Sequence, residues 1–213
     1  MAQDELRAAR ERALALGCAP LVDAMGRTHT HPAHLPAWQS PTPDVPLAGP
    51  AVTIGFLPTR DDLPGSDRGF AEVLAEAAQD APDGAVLVLS SGGHPGVSHA
   101  GGTKLARVPA HGLAGVLCDG LLRDFTELAA LGLPTWCRGE AVRWGGDSVM
   151  PYAANVAVEV AGVTVAPGDF VYVDRAGGVV VPAASLGAVL DEAETVVADD
   201  ARTVARIRGG VSR

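Results

Sequence analysis

The chain has 213 residues, 47% of them hydrophobic, which suits one compact domain with a buried core. Aromatic residues make up only 4%, so the core must be built mainly from Ala, Val and Leu, and such small side chains favour further burial between subunits. The net charge of -9 argues against direct binding to nucleic acid or to an anionic membrane, because both carry negative phosphates.

The amino-terminal region predicts one helix followed by a long irregular segment. The first residues are polar and acidic rather than an apolar signal region, and no apolar run reaches the length of a membrane span, so we expect a cytoplasmic protein. Asp4 is a candidate cap for a helix that runs to about Leu16. Residues 26–48, rich in Pro, His and Thr, predict an irregular excursion.

The middle of the chain predicts alternating strands and helices. Strands are expected at residues 51–56, 85–89 and 115–118, with a short extended segment at 135–137. Helices are expected at 70–79 and 124–131, with a short one at 104–111 broken near Pro109. The connections are a glycine-rich loop at 92–102 and a turn at 119–122.

The last third of the chain predicts a β-meander and then one long helix. Repeated valines at 163–165, 170–173 and 179–181 alternate with Gly, Pro and Asp turns. A helix from 185 to about 207 is expected to bury one face, formed by Leu186, Val189, Leu190, Ala193, Val196 and Val197. Residues 1–213 therefore predict a single α/β domain with a βαβ-like centre.

Arg123 and Asp124 form the most informative pair, because they follow a predicted buried strand where the next helix begins. Ligands collect at the ends of strands in α/β sheets. An arginine there can hold a carboxylate through two parallel hydrogen bonds, and an aspartate can hold Mg²⁺ with water completing the shell. A structural alternative stays open, because Asp124 and Glu127 also match a capping box.

The glycine-rich loop is the second candidate, since its backbone N–H groups can converge on an anion and Lys104 can add charge. It matches neither a dinucleotide fingerprint nor a P-loop, and a tight surface connection is the alternative. His94 and His99 lie in this loop. His29, His31 and His34 lack the spacing of a known zinc site, and solvated loop histidines are the favoured interpretation.

Cys18, Cys118 and Cys137 are odd in number, far apart and without a C-x-x-C spacing, which predicts reduced thiols that are buried or partly buried.

The central segments resemble the family that holds the regulator of ribonuclease activity A and the metal-dependent 4-hydroxy-4-methyl-2-oxoglutarate aldolases. The run Gly101-Gly-Thr-Lys-Leu-Ala and the run from His111 to Arg123-Asp124 are similar to that family's central signature. Further similar segments, in the same order, are 49–53, 127–139, 161–169 and 173–182. The resemblance covers nearly the whole chain.

This resemblance implies an α/β/β layered fold, trimers or pairs of trimers, and a pocket at the subunit interface. It implies that Asp124 anchors Mg²⁺ or Mn²⁺, that Arg123 holds the carboxylate of a small 2-oxo acid, and that the loop around Gly101, Gly102, Thr103 and Lys104 helps to bind it. A further carboxylate, Asp199 or Asp200, would come from the carboxy-terminal helix of a neighbouring subunit. The chemistry implied is cleavage of a C–C bond through a metal-stabilised pyruvate enolate.

Three departures from the family pattern affect the handling of protons. Gly102 stands where the family's aldolases carry an acid, and Glu127 stands where some glycine-containing members carry a lysine. Thr103 and Lys104 replace a usually apolar pair.

Three functions follow. The first is a metal-dependent aldolase or oxaloacetate decarboxylase. The second is a non-catalytic regulator that binds a basic protein partner. The third is a family enzyme of altered specificity, in which Lys104, His94 and His99 remake the acid–base set.

Overall fold

The structure, a computed structural model, describes residues 3–210. The helices in this range are α1 (Gln3–Leu16), α2 (Cys18–Thr28), α3 (Phe70–Ala78), α4 (Gly102–Leu105), α5 (Phe125–Leu131) and α6 (Leu186–Gly210). The strands are β1 (His34–Leu35), β2 (Leu47–Pro58), β3 (Val86–Leu89), β4 (Ser98–Ala100), β5 (Gly115–Leu122), β6 (Thr135–Glu140), β7 (Val149–Ala154), β8 (Val158–Val160), β9 (Val163–Val165), β10 (Phe170–Asp174) and β11 (Gly177–Val181). The predicted α/β class is confirmed.

The main sheet is parallel in its centre and antiparallel towards its edges. Strand β5 lies between β3 and β6, parallel to both, and β4 pairs with the last residues of β5, beyond the end of β3. The long strand β2 runs parallel to β3, and antiparallel to β10 and β7 along other parts of its length. The carboxyl ends of β3, β4, β5 and β6 therefore point the same way, which is where ligands bind in such sheets.

Three hydrophobic clusters define the layers. One lies between the central strands and α3, α4 and α5, a second between those strands and the β8–β11 region, and a third between β10–β11 and α1, α2 and α6. Strand β3 shows why both of its faces must be apolar: Leu87 and Leu89 enter the first cluster, while Val86 and Val88 enter the second. The implied α/β/β order is present, with a further helical layer outside it.

Helix α2 was not predicted, although its sequence carries the signal. Leu21, Ala24 and Met25 are buried at spacings of three and four residues, which place them on one helical face. The irregular segment predicted at 26–48 overlaps only the last three residues of α2, and residues 18–25 were assigned to no element. Asp4 lies inside α1, which already includes Gln3, so the predicted capping role of Asp4 is wrong.

The turn predicted at 119–122 is also wrong, because β5 continues through it to Leu122. Asp119 is the reason that the segment did not look like a strand. Its carboxylate is buried and accepts two hydrogen bonds from Arg138, at 3.0 and 2.6 Å, and one from the backbone of Ala161 at 3.2 Å. A paired carboxylate can occupy a buried strand position that an unpaired one cannot.

The glycine-rich residues 92–102 are not all loop. They contain β4, because Ser98 pairs with Leu121 of β5 and its backbone N–H donates to the carbonyl of Arg143. Gly102, the last of these residues, begins α4. The helix predicted at 104–111 is divided into α4 and a 3₁₀ turn at Pro109–His111, so the predicted break near Pro109 is confirmed.

Helix α6 packs only its first half against the described chain. Arg12 of α1 pairs with Asp191 and Glu194, and Arg27 of α2 pairs with Glu192. Val197 was predicted to be buried but is 43% exposed, and Val204 and Ile207 farther along are exposed as well. Within residues 3–210 no helix is both long and apolar enough to cross a membrane.

Candidate active site

Arg123 and Asp124 occupy the position that the sequence predicted, directly after the carboxyl end of β5 and before α5. Asp124 has a left-handed backbone, with φ 65° and ψ 43°. This conformation is uncommon for residues other than glycine, although aspartate and asparagine tolerate it. The left-handed conformation of Asp124 turns the chain from the end of β5 directly into α5.

The side chain of Asp124 does not cap α5, so the capping-box interpretation is wrong. Its Oδ2 accepts a hydrogen bond of 3.0 Å from the backbone N–H of Gly102, the first residue of α4. The first amide of α5, that of Phe125, instead donates to Oε1 of Glu140 at 2.8 Å. Within residues 3–210 the Oδ1 atom of Asp124 has no hydrogen-bond donor, which leaves it available to a ligand.

The guanidinium of Arg123 is also largely unused. Its Nε lies 3.6 Å from Oδ2 of Asp124, too far for a hydrogen bond, and the side chain is 46% exposed. No other acceptor in the described chain takes its N–H groups. Gly101 lies directly against this pair, and a Cβ at Gly101 would overlap the Asp124 carboxylate, which explains the glycine.

A small pocket of about 50 Å³ surrounds the pair. It is lined by Ser98, His99, Ala100, Gly101, Thr103, Lys104, Arg123, Asp124 and Trp144. Trp144 was not predicted; it reaches the pocket because its backbone forms a bridge with Ser98, and the residue is 59% exposed at the rim. A larger cleft of about 310 Å³, near Phe56 and Tyr152, is lined by none of the predicted site residues.

Lys104 brings a half-buried amine to the pocket. Its Nζ donates to the carbonyl of His99 at 3.2 Å and lies 5.4 Å from the centre of the Phe70 ring. Burial lowers the pKa of the Lys104 ammonium, and the positive charge of Arg123 lowers it further. The amine is therefore easier to deprotonate than an exposed lysine.

His99 and His94 differ in position. The His99 ring is buried, packs edge-on against Phe56 and places its two nitrogens 2.9 Å from the carbonyl of Val97 and 3.0 Å from that of Ser91. Burial lowers the pKa of His99, although both carbonyls oppose that shift. His94 is exposed in the preceding turn and is not among the residues that line the pocket.

Gly102 faces Glu127 across the start of α4. A Cβ on Gly102 would lie 3.1 Å from the Cβ of Glu127, so a larger side chain at 102 would press on α5. The exposed Glu127 side chain has no hydrogen bond or ion pair in residues 3–210. Position 102 has no carboxylate, but the neighbouring Glu127 places a carboxylate without a partner in the described chain next to it.

Asp199 and Asp200 lie on the second half of α6 and do not line the pocket of their own chain. Asp199 forms an ion pair with Arg202 on the same helix. Their predicted role requires a second copy of the chain and stays a prediction.

The first histidine cluster does not form a metal site in the structure. His29 and His31 meet edge to face with ring centres 5.3 Å apart, and His29 hydrogen-bonds to Ser185. Among residues 3–210 no group of three or more His, Cys, Asp or Glu side chains is placed to hold a metal ion. All three cysteines are free and buried, as predicted.

Comparison with known proteins gives consistent results. A family model described as RraA-like, Aldolase/RraA, matches residues 18–181. A protein of Halalkalibacterium halodurans with the provisional name 4-hydroxy-4-methyl-2-oxoglutarate aldolase is 31% identical over 154 residues, covering 72% of this chain and 68% of that protein. A protein of Albidiferax ferrireducens with the same provisional name is 33% identical over 144 residues, covering 62% of this chain and 73% of that protein.

A solved structure extends the similarity to the complete fold. Streptomyces coelicolor RraAS2, described as an unusual member of the RNase ES inhibitor RraA protein family, is 26% identical with a TM-score of 0.78. The match covers 96% of this chain and 98% of that protein. The similar proteins thus carry both an aldolase name and an inhibitor name.

Proposed function

This chain belongs to the RraA-like family, and on that basis we propose that it is a divalent-metal-dependent carbon–carbon lyase acting on small 2-oxo acids. The observation that carries the proposal is the pair at the end of β5. Asp124 keeps one carboxylate oxygen without a hydrogen-bond partner, and the Arg123 guanidinium lies beside the other oxygen at 3.6 Å and donates no hydrogen bond within residues 3–210. A structural pair would use both groups, whereas a ligand site leaves them open.

The residues present fit Mg²⁺ or Mn²⁺. Mg²⁺ prefers oxygen ligands, retains several waters and is bound through one or two carboxylates, which agrees with a single unpartnered oxygen of Asp124. When bound, such an ion supplies Lewis-acid polarisation of the 2-oxo group. The hydrogen bond from Gly102 orients the Asp124 carboxylate for this role.

Arg123 and α4 orient the substrate. The guanidinium grips the substrate carboxylate with two parallel hydrogen bonds, which fixes the 2-oxo group relative to Asp124. The backbone amides of Thr103 and Lys104, in the first turn of α4, have no acceptor in the described chain and add donors for the same carboxylate. The pocket is too small to enclose a whole substrate, so the remainder extends towards the rim formed by Trp144.

The same proposal includes a homotrimer, or a pair of trimers, that completes the pocket. The second half of α6 carries the exposed apolar side chains Val197, Val204 and Ile207, which a neighbouring copy would cover. That packing would also bring Asp199 or Asp200 to the neighbour's pocket. Light scattering at micromolar concentration is expected to give a trimer or hexamer mass, and a monomer mass would exclude a shared site.

A non-catalytic regulator is the second candidate. The match to RraAS2 over nearly the whole of both chains and the net charge of -9 favour it, because an acidic surface suits a basic protein partner. A lyase of altered specificity is the third, favoured by the amine of Lys104 in the pocket.

Pyruvate release separates these functions. The protein is incubated with oxaloacetate or with 4-hydroxy-4-methyl-2-oxoglutarate in Mg²⁺ or Mn²⁺, and again after EDTA. Metal-dependent release from either compound is expected, and EDTA should return the rate to the uncatalysed value. Absence of release from every 2-oxo acid tried would favour the regulator.

A further inference from the structure

Lys104 is the only lysine of the chain. The 16 lysines and arginines comprise this one lysine and otherwise arginine alone. Arginine supplies a permanent positive charge, whereas lysine can also lose its proton when it is desolvated. This single lysine lines the pocket together with Arg123 and Asp124.

The surroundings of Lys104 differ from those of a lysine whose ammonium group forms an ion pair. In the part of the chain that the structure describes, Nζ has no carboxylate within ion-pair distance, and its contacts are the His99 carbonyl and the Phe70 ring. One hydrogen bond to a carbonyl orients the amine but does not require it to be charged. Burial and the charge of Arg123 both favour the neutral form.

The other charged or titratable groups in the pocket are unsuited to moving a proton. Arg123 does not deprotonate in proteins. Both ring nitrogens of His99 face backbone carbonyls, and Asp124 is committed to Gly102 and to the proposed ion. Gly102 has no side chain where the resemblance implies an acid. Among the described residues that line the pocket, Lys104 is left as the titratable side chain whose nitrogen makes only one hydrogen bond, to the His99 carbonyl.

We propose that the Lys104 amine is the acid–base group of C–C bond cleavage, which takes the proton of the substrate hydroxyl and delivers it to C3 of the pyruvate unit. This inference rests on the proposed lyase function. In cleavage of a 4-hydroxy-2-oxo acid, the neutral amine takes the hydroxyl proton as the C3–C4 bond breaks and its electron pair passes to the pyruvate unit. The resulting ammonium then protonates C3, which gives pyruvate and restores the neutral amine.

With pyruvate alone, the same amine can remove a proton from C3 and return it. Lys104 removes a C3 proton, the electron pair moves onto the 2-oxo group as an enolate, and the proton returns to C3. In D₂O the ammonium exchanges its protons with solvent, so deuterium enters the methyl group. This exchange needs no C–C cleavage and therefore isolates the proton step.

Exchange of the pyruvate methyl protons in D₂O, followed by NMR with Mg²⁺-loaded protein, tests the proposal. Lys104→Arg keeps the charge but cannot carry the proton, and Lys104→Met removes both. Each is expected to slow the exchange by roughly 100-fold or more, as loss of a general acid–base group does. Oxalate, a stable analogue of the enolate, should bind Lys104→Arg within about tenfold of wild type, because the charge is retained.

Arg107→Met is the matched control, since Arg107 follows α4, is exposed and does not line the pocket. It should exchange like wild type. If wild type exchanges and Lys104→Arg exchanges equally fast, Lys104 is not the proton carrier, although the lyase proposal survives. If wild type itself shows no metal-dependent exchange, no enolate forms and both proposals are overturned.

A measurement on the unmutated protein gives a second readout. With ¹³C at the lysine ε-carbon, the whole chain yields one side-chain signal, and that signal reports the Lys104 amine. It is expected to shift when oxalate is added in the presence of Mg²⁺. An unchanged signal under saturating oxalate would contradict placement of the amine at the reacting carbon.

Discussion

Replacing Asp124 by asparagine is expected to abolish metal-dependent pyruvate release while leaving the fold intact. A bound divalent ion contributes several kcal/mol of transition-state stabilisation, so its loss lowers kcat/KM by roughly 1,000-fold or more. Asparagine tolerates the left-handed backbone at φ 65°, and its amide oxygen still accepts from Gly102. The expected loss of stability is about 1 kcal/mol, the difference between a charged and a neutral acceptor.

Steady-state kinetics and thermal unfolding of the same preparations measure the two effects. Asp80→Asn is the control, because Asp80 is exposed and lies outside the pocket. Alanine is a poorer choice at position 124, since it would add strain in the left-handed region. Normal turnover by Asp124→Asn would show that the carboxylate serves only to hold α4 against β5.

Replacing Arg123 by lysine is expected to have the second large effect, and this replacement distinguishes an enzyme from a non-catalytic regulator. Lysine keeps the positive charge but loses the planar pair of donors that grips a carboxylate. A charge-assisted hydrogen bond contributes about 1.5–3 kcal/mol, so kcat/KM should fall roughly 10- to 100-fold. Metal binding and assembly should be unchanged, because no hydrogen bond from the Arg123 side chain holds the described chain together.

Arg107→Lys provides the matched comparison, as the same exchange at an exposed arginine beside α4 that does not line the pocket. Kinetic constants with oxaloacetate decide the outcome. Should wild type release pyruvate in a metal-dependent way that Arg123→Lys leaves untouched, the guanidinium does not hold the substrate. A regulator would show no turnover in any variant, and its affinity for a protein partner would not change when Arg123 is replaced by lysine.

The sequence predicted the position of the candidate pair in the fold, because local patterns determine that position. The apolar run that starts β5 and the polar pair after it place Arg123 and Asp124 at a strand end, as the structure has them. The predicted element boundaries were wrong where a residue distant in sequence stabilises the local structure. Asp119 looked like a turn residue because its partner Arg138 belongs to another strand.

The interpretation of Asp124 as a cap failed for the same reason. The pattern Asp124–Glu127 is local, but the structure satisfies the Phe125 amide with Glu140 from the end of β6. Nothing in the sequence links positions 125 and 140. Trp144 likewise reaches the pocket through a bridge to Ser98, so its place at the rim depends on tertiary structure that residue spacing does not encode.

The central claim is that Asp124 holds the metal that the lyase reaction uses. Titration of Mn²⁺ into wild type and Asp124→Asn, with and without oxalate, measures that binding directly through the signal of the free ion. The account predicts that oxalate tightens Mn²⁺ binding to wild type and that Asp124→Asn weakens it by roughly tenfold or more, as loss of a metal ligand should. Equal Mn²⁺ affinity in the two proteins, unaffected by oxalate, would contradict it.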